Sequence, residues 1–168
     1  MKKLILKKYF LWSNVNPDGE RVMSLQEWLN GLLLHGKESI ARTRFMKILN
    51  EESLVIERER MNLLGEYAEK DKDGKIIYLD KESKETTNQA LGIKAKLKNE
   101  EELNSKFLSC LLQEFTIDIT PENAKTIYDT RDLILNTEEK FQGIMATRFS
   151  EWYVCFEDLV KQNKKLKK

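Results

Sequence analysis

The sequence has few of the residues that common active sites use. In 168 residues it contains one histidine, His35, and two cysteines, Cys110 and Cys155. A lone histidine without cysteine or acidic ligands at metal spacing predicts a surface or packing residue. The cysteines lie in apolar helical runs, away from the turns and helix starts that stabilise a thiolate, so we expect reduced thiols, with a single disulfide as the alternative. No glycine-rich phosphate loop occurs. We therefore predict no enzyme and no cofactor.

Proline, net charge and long apolar runs are also scarce. There are two prolines and seven glycines, so long unbroken elements are possible. Basic and acidic side chains number 29 and 28, which leaves no global basic field and does not favour nucleic-acid binding. No window approaches the roughly 20 apolar residues of a membrane span, and the apolar part of the N-terminal segment is too short for a signal peptide. We expect a soluble, intracellular protein that does not enter a membrane.

Charged residues, at 34 %, are abundant, and the apolar ones recur mostly at helical spacing. We predict a mainly α fold: a helical bundle with a short N-terminal β hairpin and a charged hairpin arm after its long helix. The expected hairpin has a strand over Lys3–Trp12, a turn at Asn16-Pro17-Asp18-Gly19 and a return over Arg21–Met23. A helix should follow from Ser24, with Glu27 completing a capping box, to Gly36, with His35 in its last turn.

The longest periodic segment runs from Lys37 to Ala68. A polar gap at Asn50–Ser53 leaves two possibilities, a break in the helix or one continuous helix of roughly 48 Å, and we favour the continuous helix. Asp73-Gly74 then predicts a tight hairpin turn, and Lys81–Ala95 is the least structured segment by composition.

Three further helices are expected in the second half. One is capped by Asn99 and Glu102, and a short strand over Thr116–Ile119 follows it. The next should start at Thr120-Pro121 and end near Leu135, and the last should run from Asn136 or Thr137 to about Gln162. Its aromatic stripe predicts core packing. In sum we expect a single domain over 1–168, with strands in 1–23, helices in 24–68, a polar arm in 69–95, C-terminal helices in 96–162 and a basic tail in 163–168.

One segment matches the spacing of a calcium loop. Glu69, Asp71, Asp73 and Asp80 fall on positions 1, 3, 5 and 12 of an EF-hand loop, with Gly74 at position 6. Glu69 and Asp80 differ in length from the usual ligands, and the following segment, Lys81–Thr87, has no apolar face for an exiting helix. A charged hairpin tip is therefore the favoured interpretation, and calcium binding is a minor alternative.

Charged residues supply the candidates for partner contact. The candidates in and near the arm are Lys70, Asp71, Lys72, Asp73, Lys75, Arg58 and Arg60, and the basic tail holds Lys161, Lys164, Lys165, Lys167 and Lys168. The simplest role of the tail is to aid solubility; contact with nucleic acid or an acidic partner is the alternative.

The centre of the chain resembles small uncharacterised proteins of tailed bacteriophages. The resemblance covers about 36–119 and rests on three stretches: Ala41-Arg42-Thr43-Arg44-Phe45, Glu57-Arg58-Glu59-Arg60, and Leu63 through Gly74. It implies a phage structural or assembly protein that acts through protein contacts, as a homo-oligomer or virion component. Such a protein would be cytoplasmic in the bacterial host or assembled into a virion. The alternative is a small phage-encoded regulatory or host-directed binding protein, possibly associated with nucleic acid.

Overall fold

The computed structural model of the chain describes residues 2–15, 19–79 and 95–165, with only the backbone given for Val15 and for 160–165. The described part is mainly helical, as predicted. Its helices are α1 (Leu25–Gly31), α2 (Gly36–Tyr67), α3 (Glu100–Leu111), α4 (Ala124–Leu135) and α5 (Gly143–Lys165). Its strands are β1 (Lys3–Lys7), β2 (Asn14–Val15), β3 (Arg21–Val22) and β4 (Glu114–Asp118), and a 3-10 turn covers Lys8–Leu11.

The first strand pairs with a distant partner. We expected Lys3–Trp12 to pair with Arg21–Met23; instead β1 ends at Lys7 and pairs antiparallel with β4, with Leu4 opposite Ile117. Leu4 and Leu6 are fully buried, whereas Ile5 between them is 45 % exposed. This alternation fits a strand with one face on the core. The strand expected near Thr116–Ile119 is therefore present and supplies the partner.

A short hairpin does form around the predicted turn, but its first strand is β2 and not Lys3–Trp12. Asn14 pairs with Val22 and Val15 with Arg21. Its predicted turn residues Asn16, Pro17 and Asp18 lie outside the described residues. The hairpin leads directly into α1.

The cap of α1 is the capping box that the sequence predicts. The Ser24 hydroxyl accepts from the Glu27 amide at 3.1 Å, and the Glu27 carboxylate accepts from the Ser24 amide at 3.2 Å. The predicted end of α1 is wrong, because the helix stops at Gly31 and not at Gly36. His35 is consequently the N-cap residue of α2. It therefore lies at the positive, N-terminal end of the α2 dipole. We expected it at the negative, C-terminal end of the α1 dipole.

The long helix α2 is continuous over 32 residues, which corresponds to roughly 48 Å. It passes through the polar gap without a break. Ser53 explains part of this tolerance, because its hydroxyl lies 2.9 Å from the Gln26 side chain of α1 and 3.2 Å from the Leu49 carbonyl.

The starts of α4 and α5 differ from the predictions. Residues 121–123 form a turn, so α4 begins at Ala124, after Thr120-Pro121. The last helix begins at Gly143, not at Asn136 or Thr137. Gly143 has φ +54°, a left-handed conformation that ends any helix approaching from residue 137. By contrast, Asn99 caps α3 as predicted, accepting from the Glu102 amide at 3.1 Å.

The aromatic stripe of α5 belongs to the core, as its pattern indicates. Trp152 and Phe156 are fully buried, and Phe149 stacks on Phe141 with ring centroids 4.4 Å apart. Trp28 of α1 packs on the same cluster, 5.8 Å from Trp152. None of the described helices is long and apolar enough to cross a membrane.

Candidate interaction surfaces

Of the predicted arm, 69–95, the structure describes 69–79 and 95. Its backbone forms a small ladder: the Glu69 amide donates to the Lys96 carbonyl at 2.8 Å, Ile77 donates to Glu69 at 2.9 Å, and Lys96 donates to Ile77 at 3.0 Å. The arm is therefore hydrogen-bonded to the segment that leads into α3, in addition to its chain connection to α2.

Asp71 organises the tip of the arm. Its carboxylate accepts the amides of Asp73 and Lys75, each at 2.9 Å, and its own amide donates to the Lys75 carbonyl. Gly74 takes φ +78°, the left-handed conformation that an Asp-Gly turn requires. This is the local reason why the sequence folds into a tight turn here.

The base of the arm is fixed to α3 through Tyr67. Its hydroxyl donates to the Glu102 carboxylate at 2.7 Å, and Lys106 lies 4.8 Å from the centre of its ring. Lys106 also forms an ion pair with Glu66 at 3.3 Å. The arm and α3 are thus held in a defined arrangement.

The structure places five of the seven predicted contact residues in and near the arm next to one another. The five lie exposed at the arm tip: Lys70, Asp71, Lys72, Asp73 and Lys75.

The two predicted arginines lie elsewhere, on α2. Arg58 is exposed, whereas the Arg60 guanidinium is bound to Glu57 at 2.5 and 2.8 Å. The hydrogen bond from Arg60 holds the pKa of Glu57 below its usual value.

Two of the calcium candidates, Glu69 and Asp71, have other partners. Glu69 forms an ion pair with Lys96 at 3.2 Å, and the Asp71 carboxylate is used by the backbone of the turn. Asp80 lies outside the described residues, as do Lys81–Thr87. In the described part of the chain, no group of three or more acidic, histidine or cysteine side chains is arranged to hold a metal ion.

A second surface, which the sequence did not indicate, is a groove of about 360 Å³ between the N-terminal segment, α3 and α5. Trp12 packs edge-on against Phe107, 5.1 Å between ring centroids, and Leu108 and Leu112 are each more than half exposed. We call it the Trp12 groove, and its lining is Lys7, Tyr9, Trp12, Asn14, Leu108, Leu111, Leu112, Arg148 and Glu151.

Polar groups line one side of the Trp12 groove. Arg148 donates to the Tyr9 carbonyl at 2.5 Å, and its guanidinium lies 4.4 Å above the Tyr9 ring. Burial lowers the pKa of Arg148, and burial together with a hydrogen bond to Glu151 raises the pKa of Tyr9. The buried Asn14 Oδ1 has no hydrogen-bond partner in the described structure.

A third surface lies between the α1–α2 linker and α4. A groove of about 480 Å³ has apolar walls from Leu32, Leu34 and Leu133. Charged side chains surround it, among them Lys37 and Asp129. Leu33 of the same linker is 97 % exposed.

The cysteines are free thiols, as expected, and both are half-buried. Burial raises the pKa of Cys155 to about 11 and also raises that of Cys110. Neither is activated as a nucleophile at neutral pH.

Only one weak signal in the sequence could have revealed the Trp12 groove. Leu108 and Leu112 form an apolar pair four residues apart that lies outside the core stripe of α3.

The side chains of Lys161, Lys164 and Lys165 and the whole of Lys167 and Lys168 lie outside the described part of the chain.

No protein-family model, curated protein or solved structure matches this sequence.

Proposed function

We propose that this chain is a phage-type structural or assembly protein that acts through protein–protein contacts. The phage assignment rests on the resemblance of residues 36–119 described above. The mode of action rests on one observation: large apolar side chains stand in solvent on several separate elements. They include Leu33 of the linker, Leu54 of α2, Tyr78 of the arm and Leu108 of α3.

Exposed apolar side chains that lie together mark interaction sites, and Leu108 and Leu112 lie together beside Trp12. A regulator that binds one target needs one such surface. A subunit of an assembly touches several neighbours and needs several, which is why the assembly role is favoured. The proposal assigns no catalytic residue and no cofactor. Its place would be the bacterial cytoplasm during assembly, or the virion.

Fractionation of infected cells tests the proposal. We expect mass spectrometry to find the chain in purified particles, or in assembly intermediates, at a fixed ratio to another particle protein. Presence only as free protein, or only bound to a host protein, would contradict an assembly role and favour the regulatory alternative.

A matched pair of variants on α3 sharpens the test. Leu108→Glu places a charge on the Trp12 groove, and Ser109→Glu places the same charge on the next exposed residue. We expect Leu108→Glu to reduce incorporation into particles or intermediates at least tenfold and Ser109→Glu to leave it unchanged, because buried charge opposes apolar contact. Equal incorporation of both variants would remove the groove from the proposal.

A further inference from the structure

The outward face of α2 carries apolar side chains that lie outside the core of the described chain. The inward face contributes Phe45, Leu49 and Ile56, all essentially fully buried. On the opposite face Ile40 is 53 % exposed, Leu54 64 % and Met61 45 %. An ordinary surface helix has polar residues there.

The spacing of these three residues places them on one line. Leu54 follows Ile40 by two heptads and Met61 follows Leu54 by one. Positions seven apart on a helix drift by only about 20°, so the three side chains form a narrow seam. Lys47 occupies the remaining heptad position, and its aliphatic stem can cover apolar surface while the amine stays in water. We call these four residues the α2 seam.

Charge is divided unequally along α2. Its first part, 36–47, has four basic side chains and one acidic, a net of +3; its second part, 51–66, has five acidic and two basic, a net of −3. Three of the five acidic side chains already form ion pairs within the chain: Glu52 with Lys8, Glu57 with Arg60 and Glu66 with Lys106. Glu51 and Glu59 have no ion pair among the described residues, and they are the acidic groups left to face a partner's basic half. A helix with such an arrangement is complementary to a reversed copy of itself.

We propose that a second copy of this chain packs against the α2 seam in antiparallel orientation. The inference rests on the proposed function and names one of its partners. A twofold axis near residues 50 and 51 sets Ile40 against the partner's Met61 and Lys47 against the partner's Leu54. The same operation lays each basic half along an acidic half. A parallel pair would instead place like charges together, and an isologous antiparallel contact closes on itself as a dimer.

Sedimentation velocity on the full chain tests the contact. We expect a monomer–dimer equilibrium between about 1 and 100 μM, which weakens several-fold when salt rises from about 50 to about 500 mM. Leu54→Glu should raise the dissociation constant at least tenfold. Leu33→Glu is the matched control, since it is the same substitution at a more exposed leucine away from α2, and it should change nothing. Thermal melts of both variants check that the exposed substitutions leave the fold intact.

A wild-type chain that stays monomeric at about 100 μM overturns the proposal, and so does an equal effect of Leu54→Glu and Leu33→Glu. Monomeric chain that still enters particles would leave the assembly function standing without the dimer. A dimer in a chain absent from particles and intermediates would do the reverse.

Orientation is tested by disulfide crosslinking between two single variants. Ile40→Cys mixed with Met61→Cys should give a crosslinked pair on oxidation. Either variant alone should give no more than the wild-type background from Cys110 and Cys155. Crosslinking of Ile40→Cys by itself would show a parallel pair and contradict the proposed geometry.

Discussion

A single side chain can connect segments that are separate in sequence. Glu27 is the clearest example. Its carboxylate accepts from the Ser13 hydroxyl at 2.5 Å, from the Ser24 amide at 3.2 Å and from Arg21 at 2.7 Å. It therefore joins both sides of the N-terminal hairpin to the start of α1. Burial alone would raise the pKa of Glu27, but the hydrogen bonds outweigh it, and the pKa lies below its ordinary value of 4.5.

This lowered pKa makes a prediction about stability and pH. A carboxyl whose pKa is lower in the folded chain stabilises the fold above its unfolded pKa, and the stabilisation is lost as pH falls through the folded pKa. Glu27→Gln should lower the free energy of unfolding at pH 7 by about 1 kcal/mol. The difference from wild type should shrink below about pH 4, as measured by urea denaturation at pH 7 and pH 3.

The matched control is Glu114→Gln, at an exposed position of β4, which should change the free energy of unfolding by less than about 0.5 kcal/mol at pH 7. A Glu27→Gln deficit of equal size at both pH values would show that the lost hydrogen-bond geometry, and not the charge, matters.

At the scale of elements, helix starts show what sequence can predict. Ser24 with Glu27 and Asn99 with Glu102 are capping signals whose partners lie three residues away, and the structure confirms both. The predicted start of α5, at Asn136 or Thr137, was wrong. Thr137 and the acidic residues after it have the pattern of a capping signal, although no helix begins there. In the fold Glu139 instead accepts from the Trp28 indole at 2.6 Å, a contact across more than 100 residues. Local pattern cannot anticipate that competition.

Two glycines provide an element-scale prediction with opposite signs. A Cβ at Gly143 would lie 3.1 Å from both carboxylate oxygens of Glu20, at φ +54°. Gly143→Ala should therefore lower the free energy of unfolding by about 1–2 kcal/mol. Gly65 lies inside α2 with open space around its Cβ position, so Gly65→Ala should raise it by about 0.5–1 kcal/mol.

Thermal or urea denaturation of the two alanine variants beside wild type is sufficient. Equal shifts in the same direction would mean that backbone conformation at residue 143 does not decide where α5 begins.

The candidate surfaces also differ in whether the sequence could predict them. The arm tip was predictable because Asp71, Asp73 and Gly74 are neighbours in sequence and interact locally. The Trp12 groove was not, because Trp12, Leu108 and Arg148 meet only through the tertiary fold. Mainly α architecture follows from periodicity, whereas the partner of β1 depends on long-range packing.

At the scale of the whole molecule, β1 joins the two ends of the described chain. It pairs with β4, over 100 residues later, and its buried face, Leu4 and Leu6, belongs to the core that α5 also lines. Truncating one fully buried leucine costs about 2–5 kcal/mol. Two such losses are comparable with the total stability of an ordinary domain, about 5–15 kcal/mol.

The two faces of β1 therefore predict opposite outcomes for paired substitutions. Leu4→Ser with Leu6→Ser should unfold much of the population. The double substitution removes two buried apolar side chains from the core and places two hydroxyl groups there instead. Lys3→Ser with Ile5→Ser changes the exposed face of the same strand and should cost no more than about 1–2 kcal/mol. Far-ultraviolet circular dichroism with urea titration distinguishes the two. If the Leu4 and Leu6 variant kept a cooperative transition near that of wild type, β1 would be peripheral, and the core would be complete without the N-terminal strand.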